Sequence, residues 1–295
     1  MTEGKIIKAL SGFYYVKTTD SQETYQCRGR GVFRKNKVNP LVGDIVEMEK
    51  SNPGEGYVVD VKPRKNELVR PPIANIDQAI IVVSAVKPDF STLLLDRFLV
   101  LIESKQIEPI IFISKMDMVA PDIQAQIHQF KQDYLQIGYK VQPVSTMRPE
   151  GLDEAVKHFK GKTSVIAGQS GVGKSSLLNA IDPLLELETN EISESLGRGK
   201  HTTRHVELIE INQGFVADTP GFSSLEFNEI ELDELSDCFP EMNERKAGCK
   251  FRGCMHHKEP KCAVKAAVDS GEIPEYRYNH YLQFMEEIQN RKPRY

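Results

Sequence analysis

"IAGQSGVGKSS" (Ile166–Ser176) follows an apolar run and precedes a helix-forming stretch, "SLLNAI". Its core, Gly168-Gln169-Ser170-Gly171-Val172-Gly173-Lys174-Ser175, fits G-x-x-x-x-G-K-[ST] without a mismatch, and Ser176 continues into the helix. Each residue type has a reason to stand there. Glycines let successive backbone N–H groups curl around phosphate oxygens. Lys174 reaches the terminal phosphates, Ser175 can ligate Mg²⁺, and the helix N-terminus adds partial positive charge. A glycine-rich turn with a chance lysine does not account for the strand before and the helix after. The stretch therefore places a nucleotide-binding α/β domain in the middle of the chain.

Working outward, strand and helix patterns alternate. "AIIVVSAV" (Ala79–Val86), "PIIFIS" (Pro109–Ser114), "KVQPVS" (Lys140–Ser145) and "TSVIAG" (Thr163–Gly168) read as strands, the most apolar of them buried on both faces. "LLLDRFLVLIESKQ" and "PDIQAQIHQFKQDYLQIG" have helical spacing, the second ending at glycine. "VELIEI" and "GFVADTPG" form an expected hairpin through Asn212-Gln213-Gly214. The last of these closes on Asp218-Thr219-Pro220-Gly221, a D-x-x-G. There a carboxylate can hold Mg²⁺ through water and the Gly221 N–H can meet a γ-phosphate. "IFISKMDMVA" (Ile111–Ala120) stands more than fifty residues ahead of the phosphate loop and carries Ser114-Lys115-Met116-Asp117.

That tetrapeptide resembles the Asn-Lys-x-Asp loop with which GTPases read guanine. An Asp so placed accepts from guanine N1–H and the 2-amino group, a pair adenine lacks, while the lysine stem packs over the base. Serine replaces the asparagine, so the amide that braces the loop is expected to be lost. A helix-capping Asp after a strand is the alternative. "PVSTM" resembles the second base loop and puts Ser145 near the base. In the usual order the phosphate loop comes first; here both base loops precede it. Moving the chain ends to a surface loop leaves every strand neighbour in place, so the order reads as a circular permutation.

Residues 1–67 hold four or five short β-rich runs broken by turns, as in a small barrel such as an OB-fold. "VRPPIANID" (Val69–Asp77) reads as a linker. After about Phe222 the strand patterns stop. "NEIELDELSDCFPEM" and "EYRYNHYLQFMEEIQNRK" read as helices, and between them lie Cys249, Cys254, His256 and Cys262. Three thiolates and an imidazole suit one closed, structural Zn²⁺ site, with His257 as the alternative nitrogen ligand. The expected architecture is α/β: a circularly permuted P-loop GTPase domain over 69–224, an N-terminal OB-like β-barrel over 1–68 and a C-terminal helical zinc-binding domain over 225–295.

Apolar content of 40% and charged content of 27% describe a globular chain, and no apolar run is long enough to cross a membrane. "MTEGKIIKAL" lacks the long apolar stretch of a signal peptide, so a cytoplasmic location is expected. Five cysteines argue against a disulfide framework. The net charge of −4 hides an asymmetry. Residues 1–70 carry 13 Lys/Arg against 9 Asp/Glu, residues 71–239 carry 14 against 25, and residues 240–295 carry 11 against 8. A polyanion would be held by the two basic ends.

The order of motifs, the barrel and the Cys/His cluster together resemble the RsgA family of ribosome-small-subunit-dependent GTPases over nearly the whole chain. The resemblance implies an enzyme that binds GTP/GDP with Mg²⁺, recognises the small ribosomal subunit and its rRNA, and hydrolyses GTP late in subunit maturation, stimulated by that subunit; a monomer is expected. In "SESLGRGKHTTRHVEL" (Ser193–Leu208), Thr202 or Thr203 is the expected Mg²⁺ and γ-phosphate ligand. Phe222 occupies the place where many GTPases keep a water-orienting glutamine. His201, which the resemblance favours, or His205 is then the candidate to orient the water. Another P-loop nucleotide-dependent enzyme, such as a nucleotide kinase, and a non-catalytic RNA-binding module are the competing readings. Against the first stand Asp117 and the lack of an arginine-rich lid; against the second, an intact Lys174-Ser175 and Asp218.

Overall fold

A computed structural model of the chain describes residues 1–30, 33, 39–69, 71–148, 151–185, 187, 206–217 and 225–291. The chain divides into two compact units, Met1–Ile80 with Leu152–Ala167 and Gly173–Ser223, and Ile81–Gly151 with Gly168–Val172 and Ser224–Tyr295.

The first unit opens with strands β1 (Thr2–Leu10), β2 (Phe13–Thr18), β3 (Thr24–Gly29), β4 (Ile45–Lys50) and β5 (Glu55–Val61). They close a barrel in the order β1-β2-β3-β5-β4. All pairings are antiparallel except β3 with β5, the arrangement expected of an OB-fold. Alternation explains the closure: Val46 and Met48 on β4 point inward with Ile6, Val16, Cys27 and Val58, all fully buried. Part of the expected linker is ordered: β6 (Glu67–Leu68) pairs with β7 (Ile73–Ala74).

A six-stranded sheet runs in the order β10-β9-β8-β11-β13-β12. Its members are β8 (Gln78–Ser84), β9 (Glu108–Ser114), β10 (Lys140–Pro143), β11 (Thr163–Ala167), β12 (Leu208–Ile211) and β13 (Gly214–Ala217). Every residue of β8 and β11 is buried, which is why their apolar residues, Ala79–Val83 and Val165–Ala167, run on without alternation. β10 pairs parallel to β9 and β11 parallel to β13, while β12 and β13 form the expected antiparallel hairpin. The turn itself is only Asn212 and Gln213, both at positive φ (46° and 61°). Gly214 already belongs to β13. A Cβ there would lie 1.9 Å from the Phe159 carbonyl oxygen, so glycine is needed for close approach and not for the turn.

In the second unit, α1 (Thr92–Glu103) and α2 (Pro121–Ile137) pack with the C-terminal region. The first unit contains α3 (Leu152–Lys157) and α4 (Lys174–Ile181). The sequence pattern predicts one helix over "NEIELDELSDCFPEM", but the chain makes a 3₁₀ turn (Leu235–Cys238) and a single turn, α5 (Pro240–Asn243). The cause is Pro240. It pushes Phe239 into an extended conformation (φ −116°, ψ 98°) and cannot continue a helix from it. The helices α6 (Ala263–Asp269) and α7 (Glu275–Gln289) follow. Their core joins Phe227, Leu235, Phe239, Met242, Val264, Tyr281 and Phe284 with Val100 of α1. Among the described residues no helix is long and apolar enough to cross a membrane.

Candidate nucleotide site and metal centre

The phosphate loop leaves the buried strand β11 at Gly168. A Cβ on Gly168 would lie 2.2 Å from the Val82 carbonyl oxygen, so only glycine lets the loop press against β8. The loop re-enters helix at Gly173, which caps α4 in the left-handed region (φ 94°), and Leu177 and Leu178 anchor that helix in the core. Gln169, Ser170 and Gly171 are exposed, whereas Lys174, Ser175 and Ser176 are half-buried in the first turn. Burial pushes the Lys174 ammonium below the usual lysine range. A partly desolvated cation attracts phosphate oxygens more strongly than one in bulk water.

The Ser-Lys-x-Asp loop is tied to the phosphate loop by two side chains. The buried Ser114 hydroxyl lies 2.7 Å from the Val172 carbonyl oxygen and 3.2 Å from that of Val83. The expected loss of bracing therefore does not follow from the missing amide, because the shorter hydroxyl reaches the phosphate loop directly. Lys115, held in the left-handed region (φ 59°, ψ 33°), donates to the Gly171 carbonyl at 2.7 Å and to that of Lys87. Asp117 sits in the 3₁₀ turn Met116–Met118, and its Oδ1 accepts from Ser145 Oγ at 2.6 Å. Ser145 Oγ in turn accepts from the Met147 amide at 3.1 Å. Ser145 thus orients the Asp117 carboxylate. The capping alternative is removed, since α2 begins at Ala120 and Pro121 with no side-chain cap. His201, Thr202, Thr203, Asp218 and Gly221, together with His205 and Phe222, lie outside the described residues.

At the C-terminal cluster the ligand atoms of Cys249, Cys254, His256 and Cys262 all lie within 4.8 Å of one another. Cys249 and Cys262 Sγ are 3.8 Å apart, and His256 Nδ1 is 3.3 Å from Cys262 Sγ and 3.6 Å from Cys249 Sγ. Tetrahedral zinc with Zn–S of about 2.3 Å and Zn–N of about 2.0 Å would set those edges at about 3.8 and 3.5 Å. The donor set therefore fits the metal in chemistry and in size. His256 is fully buried, and its other ring nitrogen, Nε2, has no hydrogen-bond partner among the described atoms. His257 is exposed, which separates the two candidate histidines. The loop is held from outside: Tyr278 and Tyr281 hydroxyls donate to the His256 and Met255 carbonyls at 2.6 and 2.7 Å, and Glu259 accepts from the Met255 and His257 amides.

One cluster escapes sequence reasoning. Arg277 is fully buried and donates to Asp96 Oδ1 at 2.6 Å and to both oxygens of Glu241 at 2.8 and 3.0 Å. Tyr134 Oη also donates to Asp96 Oδ1 at 2.6 Å, and His280 Nδ1 lies 2.5 Å from Asp96 Oδ2. Asp96 and Arg277 are 181 positions apart, and no short motif announces such a pair.

A strand-end Ser-Lys-x-Asp braced onto a phosphate loop that follows it in the chain defines the class: a circularly permuted P-loop GTPase. The model of the RsgA GTPase family matches residues 61–228 and that of the RsgA N-terminal domain residues 3–58. The small ribosomal subunit biogenesis GTPase RsgA 2 of Oceanobacillus iheyensis is 65% identical over 100% of both chains. The RsgA of Bacillus subtilis is 61% identical, also over 100% of both. Among solved structures, YloQ, a circularly permuted GTPase, superposes with a TM-score of 0.88 at 56% identity, covering 100% of this chain and 97% of that one. YjeQ from Thermotoga maritima does so with 0.89 at 37% identity, covering 99% of each. The chain belongs to the RsgA GTPase family.

Proposed function

We propose that this GTPase binds the small ribosomal subunit and hydrolyses GTP during late subunit maturation, stimulated by the subunit, as a cytoplasmic monomer. The observation that carries the nucleotide reading is the Ser145–Asp117 hydrogen bond beside the Ser114 brace on Val172. The subunit reading rests on the names of full-length relatives at 61–65% identity. Three segments divide the work: a barrel over 1–68 that holds rRNA, a nucleotide domain over 69–224 and a zinc-binding segment over 225–295.

In this reading Asp117 selects guanine, the Lys115 stem covers the base, and the amides of Gly168–Ser176 with Lys174 hold the phosphates. Ser175, Thr202 or Thr203, and Asp218 would hold Mg²⁺, which supplies charge neutralisation on the β- and γ-phosphates. His201 orients the attacking water, and the Gly221 N–H meets the γ-phosphate. Cys249, Cys254, His256 and Cys262 hold one zinc that fixes a polar loop unable to build a core of its own.

The test is GTP turnover with and without purified small subunits at fixed salt. A large stimulation is expected, and none would sink the subunit reading. Separately, purified protein is expected to contain one zinc per chain. Cys254→Ser should lose it, along with amide protection across Cys249–Cys262, while retaining guanine-nucleotide binding. Metal content well below one in fully folded wild type would refute the zinc assignment.

A further inference from the structure

Helix α7, in the segment that carries the metal cluster, reaches back toward the nucleotide loops along two routes. The first is aromatic. Tyr276 meets Phe130 of α2 edge-on (centroids 5.8 Å apart, planes at 80°), and Phe130 stacks on Phe90 (5.2 Å, 12°). The Tyr276 hydroxyl donates to Asp133 at 3.2 Å, which fixes the ring against α2. Phe90 borders a narrow cavity shared with Val82, Ser84, Leu94 and two phosphate-loop residues, Gln169 and Val172. The same short segment offers the Lys87 carbonyl to Lys115 and to Ser84 Oγ. The second route is ionic. Arg277 and His280 grip Asp96, and Glu287 with the Leu225 carbonyl grips the neighbouring Arg97. All four contacts fall on α1, whose N-terminal cap, Ser91, directly follows Phe90.

We infer that Tyr276 is a positioning residue for guanine nucleotide: through Phe130 it holds Phe90, and with it the segment on which Lys115 and the phosphate loop rest. The inference depends on the reading of Lys115, Asp117 and the phosphate loop as the nucleotide site. It follows that loosening α7 at Tyr276 costs nucleotide affinity at a distance. By thermodynamic reciprocity, bound nucleotide protects α7. The coupling follows the aromatic route. It runs through packed aromatic rings, which have few ways to shift without leaving a void.

The experiment measures GDP affinity by titration calorimetry on the full chain for wild type, Tyr276→Ala, Tyr276→Phe, Phe90→Leu, the double variant, and Ile288→Ala as a control. Ile288 is buried in the same helix core but off both routes. Tyr276→Ala should weaken GDP about tenfold, and Tyr276→Phe, which keeps the ring, should recover most of it. Adding Phe90→Leu to Tyr276→Ala should cost less than the sum of the two. Ile288→Ala should lower the melting temperature and leave affinity unchanged. Hydrogen exchange across Glu275–Gln289 should slow when GDP is added to wild type. Unchanged affinity in folded Tyr276→Ala, strict additivity with Phe90→Leu, or an equal loss in Ile288→Ala would each overturn the inference. Failure of wild type to bind GDP at all would instead remove the nucleotide site on which it stands.

Discussion

Asp117→Asn should weaken GTP by roughly 10²- to 10³-fold and make the protein prefer a xanthine nucleotide. A carboxylate accepts two charge-assisted hydrogen bonds from guanine, each worth about 1.5–3 kcal/mol. Asparagine keeps one acceptor and turns the other position into a donor, which faces the guanine 2-amino group unfavourably and a xanthine 2-oxo group well. The structure says which atom stays an acceptor. Ser145 Oγ donates to Oδ1 at 2.6 Å, so the amide oxygen of the variant is held on that side and its nitrogen points to the base. Competition binding of GTP and XTP to the variant checks this. Unaltered GTP affinity would show that Asp117 does not touch the base. Replacing Ser145 by Ala in the same background should blur the preference, since nothing would then fix the flip of the amide.

Arg277→Met should destabilise the protein by about 3–5 kcal/mol, because it removes the buried cation that Asp96 and Glu241 share. Asp96 is 0% exposed and Glu241 3% exposed. Burial works against the guanidinium charge, yet the carboxylates of Asp96 and Glu241 outweigh it and hold the arginine well above its usual range. The face of Phe239 lies 4.7 Å from the same cation. Thermal unfolding should show a drop of about 10 °C or more. The cost comes from the unpaired charges and not from lost packing, so the triple variant Arg277→Met, Asp96→Asn, Glu241→Gln should regain much of it. A single variant as stable as wild type, or a triple variant no better than the single, would contradict this account.

The nucleotide domain is legible in sequence wherever one segment carries its own signal. The phosphate loop is contiguous, the strands β8 and β11 hold apolar runs without alternation, and the hairpin β12–β13 announces its turn. The ends of these elements are set by local chemistry, such as Gly138 at φ 109° closing α2. The cluster of Cys249, Cys254, His256 and Cys262 is legible for the same reason, its ligands lying within 14 residues of chain. What the sequence does not display depends on partners remote in the chain or on a neighbour that vetoes a local preference. Ser114 looks like a weakened asparagine until Val172 is placed beside it. Gly214 looks like a turn residue until the Phe159 carbonyl is placed against it. The helical pattern before Phe239 is real as a pattern, and Pro240 overrides it. Arg277 looks like one more solvated cation on an amphipathic helix. Nothing local reveals that Asp96 and Glu241 will enclose it.

The reversed motif order also sets a timetable for synthesis. The strands that precede the candidate base loops, β9 and β10, and their neighbour β8 are complete by residue 143, before β11 and the phosphate loop exist. At that stage Gln78 lacks the Ser164 hydroxyl to which its Nε2 donates at 2.9 Å, and Ser114 lacks the Val172 carbonyl, contacts that span 86 and 58 residues. A chain emerging from its N-terminus would therefore present an open sheet edge along β8 until the second half arrives. Asp117, the proposed guanine reader, is made first, and the loop Gly168–Ser176 is made later. If both loops hold nucleotide as proposed, tight binding would have to wait until the later one has been made.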